Sequence, residues 1–169
     1  MVGRDPPVKA QSRLGIWAFL VATLVLAADQ AAKAWIVRVA GATGSGPPIP
    51  GPLRLTLVDN TGISYGLLQG GDLTRWALAA FALAVSIALA VWAWRAEKLV
   101  TALGLGLILG GALGNVADRV LHGAVVDFID ARAIGFPWIF NPADSAITVG
   151  IILLLAEGLF APKRPAPGA

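Results

Sequence analysis

Long apolar blocks alternate with short polar islands along this chain. Apolar residues dominate four segments, at about residues 14–37, 73–94, 99–117 and 142–160. Each segment approaches the roughly 20 residues that a helix needs to cross a lipid bilayer. The pattern therefore predicts four transmembrane helices within a single membrane domain that covers residues 1–169.

The first block allows a second interpretation. Its beginning, residues 14–28, follows three basic residues and ends on two alanines, as a cleavable signal peptide does. Apolar residues continue beyond this point through Trp35, Ile36 and Val37. This continuation favours a retained membrane span.

The two longer connections between the blocks carry signals for strands. In the first, at about residues 41–70, a Gly- and Pro-rich stretch precedes a partly alternating run at 53–58 and a turn signal at 59–62, which predicts a strand and hairpin. In the second, at about residues 120–140, the run at 125–128 predicts a half-buried strand or a helical turn. The expected fold is mainly α, a polytopic membrane protein with a small extracytoplasmic β-strand subdomain.

Composition excludes several classes of protein. Hydrophobic residues make up 57% of the 169 positions, against about 45–50% in soluble domains. The net charge is only +3, and the basic residues are scattered at block ends, which argues against nucleic-acid binding. The absence of cysteine rules out disulfides, thiolate metal sites and a cysteine nucleophile.

The basic residues also predict an orientation. The termini and the turn between the second and third blocks carry seven of them: Arg4, Lys9, Arg13, Arg95, Lys98, Lys163 and Arg164. The opposite side carries five: Arg38, Arg54, Arg75, Arg119 and Arg132. Since cytoplasmic segments are enriched in Lys and Arg, this bias favours cytoplasmic termini and places the two longer connections on the outer face.

Two aspartates flank the second of these connections. Asp118 ends the third block and Asp144 begins the fourth, and each follows an asparagine, Asn115 or Asn141, by three residues. A carboxylate within a membrane helix costs roughly 2.5–3.5 kcal/mol, so it is a candidate for function. Two carboxylates that can meet suggest a pair sharing one proton, which is machinery for acid–base catalysis.

The helix ends predict different roles for the two carboxylates. Asp144 lies at a helix N-terminus, where the dipole favours an anion, whereas Asp118 lies at a C-terminus, which disfavours one. We therefore expect Asp144 to be the base and Asp118 the acid of a coupled pair. The Asn-Pro-Ala-Asp sequence at 141–144 is also a typical helix start, with Asn141 as the N-cap. The two interpretations are compatible.

Small residues on the third block predict where Asp118 points. Gly106, Gly110 and Gly114 recur at four-residue steps, which lets another helix approach closely. Asp118 is the next step, so it is expected on the same packed side. Pairing with Arg119 is disfavoured because adjacent residues on a helix do not face each other.

Other polar residues leave alternatives open. Asp29 and Lys33 are spaced i, i+4, which fits either mutual neutralisation or the positioning of a neighbouring catalytic group. Lys33 could also activate Ser64 as a nucleophile, although no motif supports this. His122 is the only histidine and is expected in an exposed loop, so no metal site is predicted.

Read in order, the polar islands resemble one family, the lipoprotein signal peptidases or type II signal peptidases of bacteria. The matching stretches are DQAAK at 29–33, NTGISYG at 60–66, GGALGNVADR at 110–119, VVDFI at 125–129 and FNPAD at 140–144. They follow the family's order and its four-span layout over most of the chain. Ala32 and Tyr65 depart from the family's usual residues, away from the expected chemistry.

The resemblance implies a membrane-embedded aspartic endopeptidase that needs no cofactor or metal. The family's catalytic aspartates carry over to Asp118 and Asp144. Supporting or substrate-binding positions carry over to Asp29, Lys33, Asn60, Gly62, Asn115, Arg119 and Asn141. The implied substrate is a prolipoprotein whose cysteine carries diacylglycerol, cut immediately before that cysteine. The enzyme would be a multi-pass protein of the bacterial inner membrane, monomeric among membrane lipids, with its site near the outer face.

A small proton-coupled transporter is the alternative from another class, since Asp and Lys inside a membrane also form proton relays. A relay needs polar residues near the middle of the bilayer, and the second and third blocks lack such a trail. A purely structural membrane partner would need no paired acids.

Overall fold

Four long helices and a three-stranded sheet make up residues 14–62 and 71–160, the part of the chain that the computed structural model describes. The helices are α1 (Leu14–Ala40), α2 (Asp72–Trp94), α3 (Leu99–Leu121) and α4 (Pro142–Phe160). All four are long and apolar enough to cross a membrane. The predicted fold class, mainly α with a small β subdomain, is confirmed.

The sheet joins the two longer connections. Its antiparallel strands lie in the order β1 (Arg54–Asn60), β2 (Val125–Asp130) and β3 (Ile139–Phe140). A 3-10 turn, Arg132–Ile134, links β2 to β3. The partner of β1 is thus a strand from the second connection, and five of the six β2 residues are buried rather than half-buried. The predicted hairpin partner and Ser64 fall on residues 63–70, outside the described ranges.

Helix α3 is the centre of the bundle. Half of its most apolar stretch is buried, against 11% to 22% for the other three helices. A Cβ added at Gly106 or Gly110 would lie 2.5 Å from the carbonyl oxygen of Ala18 or Ala22 on α1. Only glycine permits this approach, so the predicted packing of a second helix on this stripe is confirmed.

The two ends of the bundle differ in their polar contacts. At one end, α3 and α4 are joined because Glu157 accepts a 2.5 Å hydrogen bond from Thr101 Oγ1 and pairs with Lys98 at 3.0 Å. At the other end, α1 and α3 finish and α2 and α4 begin, next to the sheet. Most of the buried polar side chains lie at this second end, called the sheet end below.

Candidate active site

Lys33 is the centre of a group of charged side chains at the sheet end. Its Nζ atom lies 2.8 Å from Asp29 Oδ2 and 2.7 Å from Asp118 Oδ2, and all three side chains are at most 4% exposed. Gln30 donates a 2.9 Å hydrogen bond to Asp118 Oδ1. These four residues, Asp29, Gln30, Lys33 and Asp118, form the buried ion cluster. One ammonium group compensates two carboxylates in a site closed to solvent.

Asp118 is held from several sides. In addition to Lys33 and Gln30, the backbone N–H of Val126 donates a 3.1 Å hydrogen bond to its Oδ2 atom. Contacts with Lys33, Gln30 and Val126 thus occupy both carboxylate oxygens of Asp118. Its side chain therefore fastens α3 to α1 and to β2.

Asp29 links the first helix to the start of the last one. Its Oδ1 atom accepts a 3.0 Å hydrogen bond from the backbone N–H of Ala143. At Gly114, an added Cβ would lie 2.5 Å from Asp29 Oδ2, so this glycine makes room for the carboxylate. Because the first N–H groups of a helix have no partner inside it, Asp29 satisfies one for α4.

Asp144 is fixed in the first turn of α4. Its backbone N–H donates to Asn141 Oδ1 at 2.9 Å, and the Asn141 N–H donates to Asp144 Oδ2 at 3.3 Å, so the N-cap prediction for Asn141 is confirmed. Asn115 Nδ2 donates a 2.9 Å hydrogen bond to Asp144 Oδ1. Among the described residues, amide groups therefore make the hydrogen bonds that hold this carboxylate.

Asp127, in the middle of β2, is held in the same way. Asn60 Nδ2 donates to its Oδ2 at 2.9 Å and Asn141 Nδ2 donates to its Oδ1 at 2.7 Å. Burial raises the pKa of Asp127 to about 6, and the charge of Asp144 adds to the rise, while the two asparagine hydrogen bonds oppose it. Asn141 thus connects Asp127 to Asp144.

A cavity of about 1010 Å³ opens beside these two carboxylates. Its polar lining includes both of them together with Asn60, Asn115 and Arg119. The apolar lining comes from three helices and from the connection before α4: Ala82, Ala112, Ile147, Val149, Phe136, Trp138 and Ile139. We call Asn60, Asn115, Asp127, Asn141 and Asp144 the cavity cluster. The volume suits a ligand larger than a single amino acid.

Arg119 closes one side of the cavity. It donates from Nη2 to the carbonyl oxygen of Gly62 at 2.8 Å and from Nη1 to that of Asn115 at 3.3 Å. The N–H of Gly62 in turn donates to Asn60 Oδ1 at 3.0 Å. Gly62 therefore ties the chain after β1 to the polar end of the cavity.

The structure divides the predicted site residues into two groups. Asn60, Asn115, Arg119 and Asp144 line the cavity, and Gly62 and Asn141 support them. Asp29, Lys33 and Asp118 are absent from the cavity lining and form the buried ion cluster behind it. Asp29 and Lys33 neutralise each other, as the first alternative predicts, and Lys33 also donates to Asn115 Oδ1 at 3.1 Å.

The structure places Asp118 and Asp144 in different surroundings. Asp118 follows Gly110 and Gly114 on the side of α3 that packs against α1, and there it meets Lys33. Ala112, Asn115 and Arg119 lie on another side of α3, which lines the cavity. Asp127, unlike Asp118, shares the cavity lining with Asp144, and Asp59 lines the cavity as well.

Sequence reasoning missed Asp127 as a site residue, although a signal was present. Its neighbours Val125, Val126, Phe128 and Ile129 are all apolar, so a carboxylate at this point is out of place in a buried strand. A buried carboxylate is as much a candidate for function as one inside a membrane helix. His122 is exposed, as expected.

Comparisons with known proteins agree on one family. The family model described as signal peptidase (SPase) II matches residues 21–160. A lipoprotein signal peptidase of Caulobacter vibrioides is 45% identical over 160 residues, covering 94% of this chain and 95% of the relative. One from Methylocella silvestris is 43% identical over 152 residues, covering 88% and 89%. A solved bacterial membrane enzyme superposes with a TM-score of 0.72 at 34% identity, covering 88% of this chain and 93% of its own.

Proposed function

This chain belongs to the signal peptidase II family, and we propose that it is an aspartic endopeptidase whose catalytic carboxylates are Asp127 and Asp144. Family membership makes it a bacterial multi-pass membrane protein that removes signal peptides from prolipoproteins. The catalytic type rests on one observation above all. Asp127 and Asp144 line the same cavity and are bridged by the side chain of Asn141.

The environment of each carboxylate suggests its role. Asp144 lies in the first turn of α4, where the helix dipole and two hydrogen bonds favour the anion. The pKa of Asp127 is raised to about 6 by burial and by the neighbouring charge of Asp144, so this carboxyl group can hold a proton near neutral pH. We infer that the working pair holds one proton, with Asp144 as the base and Asp127 as the acid.

Hydrolysis then proceeds without a covalent intermediate. Asp144 takes a proton from a water molecule whose oxygen attacks the carbonyl carbon of the scissile peptide bond, while Asp127 donates a hydrogen bond to the carbonyl oxygen. When the tetrahedral intermediate collapses, the proton held by Asp144 passes to the leaving nitrogen. The pair returns to its starting state, with one water consumed.

The remaining predicted residues have supporting roles in this proposal. Asn60, Asn115 and Asn141 hold the two carboxylates by hydrogen bonds. Arg119 and Gly62 fix the wall of the cavity. Asp29, Lys33 and Asp118 maintain the helix arrangement from behind.

The cavity also supports the predicted substrate. Its polar end carries the carboxylates, and its walls continue as apolar side chains of membrane helices: Ala82, Ala112, Ile147 and Val149. A peptide could be cut at the polar end while lipid chains attached to it stay in the apolar surroundings. We therefore propose that cleavage falls immediately before a cysteine that carries diacylglycerol.

The topology follows from the same proposal. The bias of basic residues favours cytoplasmic termini, which puts the sheet end and its cavity at the outer face of the membrane. We also propose that the enzyme acts as a monomer. The transporter alternative gains no support from the comparisons, and the buried polar network is concentrated at the sheet end rather than continued along the helices.

Cleavage of a purified prolipoprotein in detergent tests the proposal. The enzyme should release the signal peptide from a diacylglyceryl-modified substrate and leave the unmodified form largely intact. Pepstatin-type inhibitors, which imitate the tetrahedral intermediate of aspartic proteases, should block the reaction. Equal cleavage of both substrate forms would refute the lipid requirement, and inhibition only by serine-directed reagents would refute the aspartic mechanism.

A further inference from the structure

Helix α2 buries few of its side chains within the bundle. Its buried residues are Ala79, Ser86 and Ala93, out of 23 residues in the helix. The substrate cavity reaches one side of it at Ala82. A second cavity of about 280 Å³ separates its other side from α1 and α3, and α2 contributes to that lining Leu83, Ser86, Ile87 and Ala90. Cavities therefore border α2 on two sides, so polar contacts at its ends bear on where it lies.

Arg75 fastens the sheet end of α2 to α3. Its Nε atom donates to the carbonyl oxygen of Arg119 at 2.5 Å, and Nη2 donates to that of Val120 at 2.7 Å. Both carbonyls lie in the last turn of α3, where a helix has no N–H groups of its own to offer. A planar guanidinium can serve two neighbouring carbonyls at once, which an ammonium group cannot do in the same geometry.

The surroundings of Arg75 fit this contact. The guanidinium lies 4.8 Å from the ring centre of Trp76, and the side chain is 23% exposed. Gly123, with φ of 88°, lies against it, since an added Cβ would be 3.4 Å from Arg75 Nη1. Within residues 14–62 and 71–160, Arg75 makes the only side-chain hydrogen bonds seen from α2 to another element.

We propose that Arg75 is a positioning residue that pins the wall formed by α2 and thereby sets the width of the substrate cavity. The α3 turn that it holds carries Arg119, which lines the cavity, and leads into β2 and Asp127. Ala82, on the cavity wall, follows Arg75 by about 10 Å along the helix. The expected effect of Arg75 on substrate kinetics rests on the proposed function, whereas its effect on the position of α2 does not.

Spin labels test the position of α2 directly. The chain has no cysteine, so labels at Leu73→Cys on α2 and Leu121→Cys on α3, both exposed sites, report on the sheet end alone. Labels at Val91→Cys and Val100→Cys report on the opposite end. In Arg75→Met, electron paramagnetic resonance should show a broader distance distribution for the first pair and an unchanged one for the second. An unchanged first pair, or broadening of both pairs, would overturn the proposal.

Steady-state kinetics supply the second readout. Arg75→Met should raise KM for the lipidated prolipoprotein roughly 3- to 10-fold and change kcat by less than about twofold, because the carboxylates stay in place while the wall moves. Arg75→Lys should recover only part of the loss. Arg95→Met, at the other end of the same helix, is the matched control and should behave as wild type. A fall in kcat with unchanged KM would contradict the role, and if no form of the enzyme cleaves, the label distances decide alone.

Discussion

The buried ion cluster and the cavity cluster lie at the same end of the bundle, and each contains two aspartates. In the buried ion cluster, Lys33 lies within 2.8 Å of both Asp29 and Asp118. In the cavity cluster, asparagine amides hold Asp127 and Asp144, and both residues line the cavity. The residue types are similar, but the partners and the access to the cavity differ.

This difference is why we propose a catalytic role for the cavity cluster and a structural role for the buried ion cluster. A carboxylate paired with an ammonium is fixed in its charged form, and its replacement is penalised by the partner left behind. Amide donors hold a carboxylate in position without supplying a compensating charge, so burial and a neighbouring anion can keep one proton within reach. An acid that must gain and lose a proton therefore belongs with asparagine rather than with lysine.

Substitution of the carboxylates is the strongest test of this comparison. Asp127→Asn and Asp144→Asn should each lower kcat by about 10³- to 10⁴-fold, since each removes one partner of the proposed acid–base pair. Cleavage of a lipidated prolipoprotein by purified enzyme measures this. Asp118→Asn is the matched control from the buried ion cluster, and it should lose stability but keep readily measurable turnover. If Asp118→Asn were as inactive as Asp144→Asn while still folded, the assignment would fail.

Removal of the shared ammonium should affect stability before chemistry. Lys33→Met leaves Asp29 and Asp118 buried without compensation and should lower the free energy of unfolding by about 3–5 kcal/mol. Denaturant unfolding in detergent micelles would show the loss. Adding Asp29→Asn and Asp118→Asn to the same chain should restore part of it, because the uncompensated charges are then gone. A stable Lys33→Met variant would show that the cluster is not an ion cluster in solution.

The pH dependence of stability should separate the clusters through Asp127. Its pKa is raised from 3.8 to about 6 on folding, so its protonated form stabilises the folded chain below about pH 4, and this contribution is lost as the pH rises through 6. Between about pH 4 and pH 8, wild type should lose about 2–3 kcal/mol relative to Asp127→Asn. Unfolding curves of both proteins across this range provide the test. Parallel curves would mean that Asp127 has an ordinary pKa.

The smallest effect is expected at the residue that contacts both clusters. Asn115 donates a hydrogen bond to Asp144 and accepts one from Lys33. Asn115→Ala therefore removes a hydrogen bond that orients Asp144 and one hydrogen-bond partner of Lys33. We expect kcat to fall about tenfold and stability to fall by about 1 kcal/mol. Thr148→Ala, on the cavity wall with its hydroxyl bonded within α4, is the control. A purely thermal defect with full turnover would remove Asn115 from the catalytic machinery.

Much of the fold could be predicted from sequence because its physical causes are local. The apolar blocks gave the helices, the glycine steps gave the close contact of α1 with α3, and Asn141 gave the start of α4. The pairing of β1 with β2 could not be predicted, because the two strands are separated by two complete helices. Strand partners distant along the chain leave no periodic signal in either segment.

The choice between Asp118 and Asp127 shows where sequence reasoning stopped. Both are acids beside apolar residues, and both lie in matching motifs. The distinction depends on which side of α3 packs against α1 and on the ion pair that Lys33 of α1 forms with Asp118 of α3. Both features arise only in the assembled helix bundle. The glycine stripe already predicted a packed position for Asp118, and a packed position is a poor place for a residue that must meet substrate.

The contact between Asp29 and the N–H of Ala143 also bears on how the enzyme is made. The ribosome synthesises α1 first and α4 last, and these residues are 114 positions apart. The hydrogen bond between Asp29 and the first turn of α4, which carries Asp144, can therefore form only after α4 has been synthesised. A nascent chain released before α4 would lack Asp144 and would leave Asp29 without this partner. Proteolytic activity should thus arise only in the finished chain, which protects a cell from partly made protease.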